Sequence, residues 1–188
     1  YEDEKDEILI ILKVLTSDLS AHLEKIDAYF NLIEEVDFLD AKRQLAKLME
    51  ANRPKVSSSR AISIKKAFHP LLLMENNKKG IETIPQDIYF DDAHRVVLIS
   101  GPNAGGKSIA LKTFGLNQLM LQAGLFIPVH PNSSMSIFHD VFTDIGDNQS
   151  IENELSTYSY RLTRMNEILV KSRKSSFILI YEFGSGSD

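Results

Sequence analysis

The sequence predicts an α/β fold with a mainly parallel sheet, preceded by an α-helical arm. Near the N-terminus apolar residues recur at helical spacing, whereas further along short apolar runs alternate with helical segments. A glycine-rich loop lies between one of these runs and the helix that follows it. The 188 residues are 43% hydrophobic and 25% charged, which is typical of one globular domain with a modest attachment.

The N-terminal arm is predicted to be a helical hairpin. Asp37 is a candidate cap for its second helix, which is expected to stop before Pro54, because proline disfavours helical geometry in the residue before it. We interpret the apolar stripe of the first helix as a packing surface without chemistry. The residues of this stripe are Ile8, Leu12, Leu15, Leu19, Ile26, Tyr29 and Ile33.

A polar stretch without periodicity, Arg53–Arg60, is predicted to be a linker, with the domain boundary near Val56. The expected domains are therefore a helical segment, 1–56, and an α/β segment, 57–188. Ala61–Phe68 alternates in part, as a half-buried strand does, and Asn76–Gly80 is predicted to be a turn or loop. Arg95–Ser100 is a short β-branched run of the kind that is buried in a parallel sheet.

The remaining elements alternate between helix and strand. Ser108–Gly124 and Ser156–Lys171 have apolar residues at helical spacing, and Gly124 is expected to end the first of these helices in a left-handed conformation. Ile137–Ile145 and Ser176–Tyr181 are predicted to be strands. This alternation is what favours a mainly parallel sheet.

Charge and composition exclude several classes of protein. The net charge is -5 and Lys and Arg form no basic stripe, so this chain is not expected to be the main contact surface for a nucleic acid. There is no Cys, which excludes a disulfide framework and Cys-based zinc sites. The longest apolar stretch, Ser108–Val129, is too polar to cross a bilayer. We expect no membrane partner and a cytoplasmic location.

One motif carries specific chemistry: a glycine, four residues, and then Gly-Lys-Ser, between a predicted strand and a predicted helix. Its backbone N–H groups are expected to surround a phosphate, helped by the positive end of the helix. Lys107 is expected to reach the β- and γ-phosphates of ATP, and the Ser108 hydroxyl is expected to bind Mg²⁺. The candidate nucleotide-binding residues of this loop are Gly101, Pro102, Asn103, Ala104, Gly105, Gly106, Lys107 and Ser108.

A second element of such a site is an acidic residue at the end of a buried strand. Glu182 follows the run Phe177–Tyr181 and is the candidate catalytic residue, placed to orient or deprotonate the attacking water. An Asp is normally expected just before it to hold the Mg²⁺ shell, but this position is Tyr181. A phenol with a pKa of about 10 is a poor ligand for a hard cation near neutral pH.

Several segments together resemble the MutS family. The Gly-Pro-Asn opening of the loop is much more specific than a generic P-loop, and Asp144–Glu152 resembles the second bacterial MutS paralogue. The resembling segments are Phe68–Leu72, Leu98–Thr113, Gln122–Val129, Phe138–Tyr158 and Ile180–Asp188.

The resemblance implies a P-loop NTPase domain of the ABC-ATPase type, in which paired domains bind nucleotide at a shared interface. It implies that Ser156 reaches the nucleotide of a homodimeric partner, that Asn103 lies near the phosphates, and that the arm matches the core and lever helices. ATP would drive opening and closing of the dimer on DNA, held by regions outside this chain. The paralogue branch is associated with branched DNA, control of recombination and ribosome rescue, which implies a ribosome contact.

The sequence departs from the family at Tyr181, and it stops before the family's switch histidine and before the paralogue's nuclease-like domain. We therefore expect a truncated ATPase domain with weak or absent activity on its own. The histidines show no metal-ligand spacing and are interpreted as surface or packing residues, although the resemblance implies that His69 lies near the nucleotide. Asp144, Asp147 and Gln149 either sense the γ-phosphate or form a solvated loop.

Two other functions remain open. Tyr181 favours a nucleotide-binding structural module with impaired hydrolysis. A small-molecule kinase also uses a P-loop, but it needs an acceptor pocket and an Arg-rich lid, and neither is visible in the sequence.

Overall fold

The computed structural model describes residues 2–102, 105–145 and 154–181, and for residues 154–161 it describes the backbone alone. The chain forms two units, Tyr1–Gln44 and Leu45–Asp188. The division falls closer to the N-terminus than the predicted boundary near Val56, because Met49 belongs to the core of the second unit and Leu45 packs against that core.

The arm consists of two helices, α1 (Glu2–Ser20) and α2 (Leu23–Leu48). The break between them lies at residues 21 and 22, so the predicted helix start at Asp37 is wrong. Asp37 lies inside α2 because the surrounding sequence contains no Gly or Pro that would end the helix, and this outweighs a local capping preference. No residue of α1 or α2 is buried, so the predicted packing surface has no cover in the part of the chain that the structure describes.

The second unit contains a four-stranded and a two-stranded sheet. In the first, β1 (Lys55–Ser57) runs parallel to β4 (Ser134–Ser136), and β2 (Ile62–Ala67) is antiparallel to both β4 and β3 (Gln86–Phe90). The strand order is β1-β4-β2-β3. The fold is therefore mixed α/β rather than mainly parallel in this sheet.

The two-stranded sheet pairs β5 (Asp140–Asp144) with β6 (Ser176–Ile180) in parallel, as the sequence predicted for both segments. The predicted strand at Arg95–Ser100 is wrong: this segment has no regular structure, and Val96 and Leu98 are each 89% exposed. A β-branched run indicates strand propensity, but propensity alone does not supply a partner strand.

Three helices pack with these sheets: α3 (Pro70–Lys79), α4 (Lys107–Gln122) and α5 (Glu154–Lys171). The predictions for α4 and α5 are confirmed, and Gly124 has the expected left-handed backbone, with φ 72°. The predicted loop at Asn76–Gly80 is wrong, because these residues form the last turn of α3 and its C-cap.

The core of the second unit lies where α4 meets β2, β4 and β6. Ile62 and Ile64 of β2 point into it, as their alternation predicted. Phe114 of α4 and Phe177 and Leu179 of β6 belong to the same buried cluster. The helix that follows the glycine-rich loop is therefore the central element of this unit.

Candidate phosphate-binding site

The glycine-rich loop leads directly into the first turn of α4. Its last residue, Gly106, is the N-cap, with φ 79°, a left-handed conformation that a glycine adopts without strain. As a glycine, this N-cap residue has no side chain that could bond to the first turn of the helix. Because the amides of a first helical turn have no carbonyl one turn back, this end presents N–H donors and a partial positive charge. The site has the physical features that favour an anion.

The loop before this cap turns tightly. The Gly105 N–H donates to the Pro102 oxygen at 2.9 Å, and a Cβ on Gly105 would lie 3.0 Å from that same oxygen. A larger residue at 105 would therefore crowd the turn. Of the predicted binding residues, Asn103 and Ala104 lie outside the described residues.

Lys107 and Ser108, the residues with the most specific predicted roles, are the first two of α4 and are both half-buried. The Lys107 ammonium donates to the carbonyl oxygens of Gly101 and Pro102, the second at 3.0 Å. The lysine therefore lies over its own loop, where the motif predicts a phosphate. The structure brings Gly101, Pro102, Lys107 and the helix start together.

The predicted acidic element lies at the end of β6. The Tyr181 N–H donates to the Asp144 oxygen at 2.8 Å, which continues the ladder one residue past the strand. Glu182, the candidate catalytic residue, lies outside the described residues. The helix α4 packs closely on this strand, because a Cβ on Gly115 would lie 2.6 Å from Leu179 Cδ1.

Two further predicted groups are only partly described. Ser156 lies in α5, but its side chain is outside the description, as are Asp147 and Gln149. Asp144 is half-buried at the carboxyl end of β5. The predicted roles of these residues stay predictions.

His69 has a structural role that the sequence did not reveal. It is the N-cap of α3, where its Nδ1 accepts from the Leu72 N–H at 3.3 Å. Burial lowers the pKa of His69, and the charge of Lys112 acts in the same direction. The proximity to a nucleotide that the resemblance implies stays a prediction. Among the described residues, no group of three His, Asp or Glu side chains is arranged to hold a metal ion.

Sequence reasoning missed the polar residues that α4 buries. Asn117 and Gln118 are both 0% exposed. Asn117 Nδ2 donates to the Phe68 oxygen at 3.1 Å, and Gln118 Nε2 donates to the Ser136 oxygen at 2.9 Å. The one available signal is that Gln118 lies four residues after the core residue Phe114, on the same helical face.

Comparison with known proteins agrees with these features. The family model described as MutS domain V matches residues 97–188. The chain is 42% identical over 185 residues to Endonuclease MutS2 of Lactobacillus helveticus. It is 40% and 41% identical over the same length to the proteins of that name from Lachnospira eligens and Caldanaerobacter subterraneus.

Each of these alignments covers 98% of this chain but only 23% of the relative. The chain therefore spans less than a quarter of the length of the curated relatives that it matches. Among the described helices, none combines the length with the apolar composition that a membrane span requires. Although the alignments cover less than a quarter of each relative, within this chain they extend over the arm, the glycine-rich loop and both strands of the two-stranded sheet. The chain belongs to the MutS family, and the relatives it matches are members of the MutS2 branch.

Proposed function

We propose that residues 101–108 bind ATP together with Mg²⁺, and that this chain is the ATPase part of a DNA-acting MutS-family protein. The observation that carries the proposal is the start of α4. A helix that starts at a glycine N-cap, which has no capping side chain, meets a tight glycine turn, and the Lys107 ammonium lies over the same loop. These features favour a polyphosphate over a neutral ligand.

The residues of the loop and of the first turn of α4 fit both the phosphates of ATP and Mg²⁺. The amides of the first turn and Lys107 bind the phosphates, and the open space beside Gly101 and Gly106 leaves the backbone accessible to them. The Ser108 hydroxyl is the side chain that would hold Mg²⁺, which, when bound, supplies positive charge to the phosphates. Glu182 would orient the attacking water.

Replacing one lysine tests the site. Lys107→Ala removes a charged hydrogen-bond donor worth about 1.5–3 kcal/mol, so the affinity for Mg-ATP in calorimetry should fall at least about tenfold. Lys112→Ala is the matched control, because Lys112 is an exposed lysine on the same helix. Unchanged affinity in the Lys107 variant, or an equal loss in both variants, would rule out the proposed site.

We extend the proposal to the whole protein, of which this chain matches a part. ATP binding and hydrolysis would change the geometry of a homodimer in which Ser156 reaches the nucleotide of the partner. DNA would be held by regions outside this chain, which agrees with its net charge of -5. The proposed roles are DNA repair and control of recombination, with a ribosome contact implied by the paralogue resemblance. These steps rest on family membership.

A second candidate function is nucleotide binding with impaired hydrolysis, and one residue favours it. Tyr181 directly follows β6, where an acid is expected to support Mg²⁺, and it is half-buried. A neutral phenol there offers a weak ligand to a hard cation. The site would then bind ATP but hydrolyse it slowly.

Two substitutions separate the candidates. Tyr181→Asp should raise ATP turnover if the phenol limits hydrolysis, whereas Tyr181→Phe, which keeps the ring and removes the hydroxyl, should leave turnover unchanged. The measurement is phosphate release at saturating Mg-ATP by the full-length protein that contains this chain. Equal turnover in all three proteins would show that Tyr181 does not impair the enzyme.

A further inference from the structure

Two glutamines of α4 hold the chain between β4 and β5. Gln118 Nε2 donates to the Ser136 oxygen at 2.9 Å and to Gln122 Oε1 at 2.8 Å. The same Gln122 oxygen accepts from the Phe138 N–H at 2.9 Å. Gln118 and Gln122, here called the amide clamp, therefore bind the backbone on both sides of Ile137.

The clamped segment joins the two sheets. It follows β4 of the four-stranded sheet and leads into β5 of the two-stranded sheet. The Phe138 ring stacks on Phe177 of β6, with centroids 5.1 Å apart, and the His139 N–H donates to the Ser175 oxygen at 3.0 Å. Because β5 and β6 pair in register, holding this segment sets the position of both strands relative to α4.

Stability alone does not account for the clamp. Gln118 is 0% exposed, and its Oε1 has no hydrogen-bond partner among the described residues. A leucine would fill a similar volume without a buried, unpaired oxygen, which is costly in a protein interior. In some proteins, buried polar groups specify one arrangement of the chain over alternatives.

We propose that Gln118 and Gln122 are positioning residues of the nucleotide site. They act through the two-stranded sheet: they fix its carboxyl ends, at Asp144 and Tyr181, relative to the helix that begins at Lys107. Ligands of parallel sheets lie beyond the carboxyl ends of the strands. The clamp therefore sets the part of the site that faces the γ-phosphate, which ATP has and ADP lacks. This inference rests on the proposed function.

The test is the preference for ATP over ADP in Gln122→Met and Gln122→Glu. Met keeps the length and helix propensity of Gln but removes the acceptor, whereas Glu keeps an acceptor for both donors. Gln122 is exposed at the surface, so both variants should fold. Gln44→Met is the matched control, as the same change at an exposed position of α2.

Calorimetry with each nucleotide and Mg²⁺ should show that Gln122→Met lowers the preference for ATP on the order of fivefold, while the affinity for ADP stays within about twofold. Gln122→Glu and Gln44→Met should keep the wild-type preference. Equal weakening for both nucleotides, an unchanged preference in Gln122→Met, or a wild-type chain without preference would each overturn the inference. A wild-type chain that binds neither nucleotide would instead contradict the proposed function.

Discussion

The helices α2 and α4 have similar apolar periodicity in the sequence but opposite surroundings in the structure. None of the 26 residues of α2 is buried, and Ile33 of its apolar stripe is 64% exposed. The shorter α4 buries six residues, of which three are polar. These are Thr113, Phe114, Gly115, Asn117, Gln118 and Met120.

The difference shows that periodicity predicts a helix and its apolar face but not whether that face is covered. For α4 the cover is β6 on one side and the clamped segment on another, and both come from distant parts of the chain. The apolar stripe of α2 is exposed at Tyr29 and Ile33, whereas Leu45, near the end of this helix, packs against the core of the second unit. Substitutions on the two helices should therefore differ strongly in their effect on stability.

The largest expected effect is in the core of α4. Phe114 is 4% exposed, so Phe114→Ala should lower the free energy of unfolding by about 3–5 kcal/mol, through lost burial and the cavity left behind. Leu119→Ala, at an exposed position of the same helix, is the control and should cost much less. Urea denaturation followed by circular dichroism measures both. If the two variants lost similar free energies of unfolding, the contrast between the buried and the exposed face of α4 would be wrong.

The next effect concerns the close contact between α4 and β6. Gly115→Ala places a methyl group where Leu179 Cδ1 now lies, and such overpacking costs about 1–3 kcal/mol. In a Leu179→Ala background the same change should be stabilising, because Ala has the higher helix propensity and the space is empty. A double-mutant cycle should therefore give a coupling of about 1–3 kcal/mol. Additive effects would mean that the two elements are not in tight contact.

Much of the fold near α4 was predictable because its signals are local. The tight turn requires glycine at 105 and 106, so the loop is visible in the sequence. In α4 and α5 the apolar residues recur at helical spacing over several turns, which is enough to predict a helix. The strand β2 showed its alternation for the same reason. Each of these elements has enough residues for its own apolar spacing to predict its secondary structure.

The remaining elements depend on distant contacts. The strands β1 and β4 have three residues each, too few to show a period, and they exist because they pair with each other. The run Arg95–Ser100 shows the reverse case: its composition favours a strand, but none of the strands that the structure describes pairs with it. In the candidate site, the sequence motif predicted the glycine-rich loop. The roles of Gln118 and Gln122 could not be predicted, because they depend on where the chain between β4 and β5 lies.

A smaller effect should appear with pH at the cap of α3. Because the pKa of His69 is lowered in the folded state, the unfolded chain binds more protons, and this group should cost stability as pH falls through its ordinary value near 6.5. Protonation also removes the Nδ1 acceptor of the Leu72 N–H, a cap worth about 1 kcal/mol. His69→Asn should keep a cap and lose this dependence, unlike His22→Asn at an exposed site. The measurement is the urea midpoint of unfolding of each protein at pH 7.5 and at pH 5.5. An equal decrease of the midpoint in the wild type and in His69→Asn would contradict the prediction.

The smallest effect is expected on the arm, and it is the sharpest test of the comparison. Leu32 is 56% exposed, and Leu and Gln have similar helix propensities, so Leu32→Gln should change the free energy of unfolding by no more than about 0.5 kcal/mol. Met120→Gln, at a buried position of α4, is the matched polar substitution and should be far more costly. Chemical denaturation at low and high protein concentration distinguishes the causes of a larger effect. A cost above about 2 kcal/mol at both concentrations would mean that the same chain covers Leu32, whereas a cost that grows with concentration would mean that a second copy does.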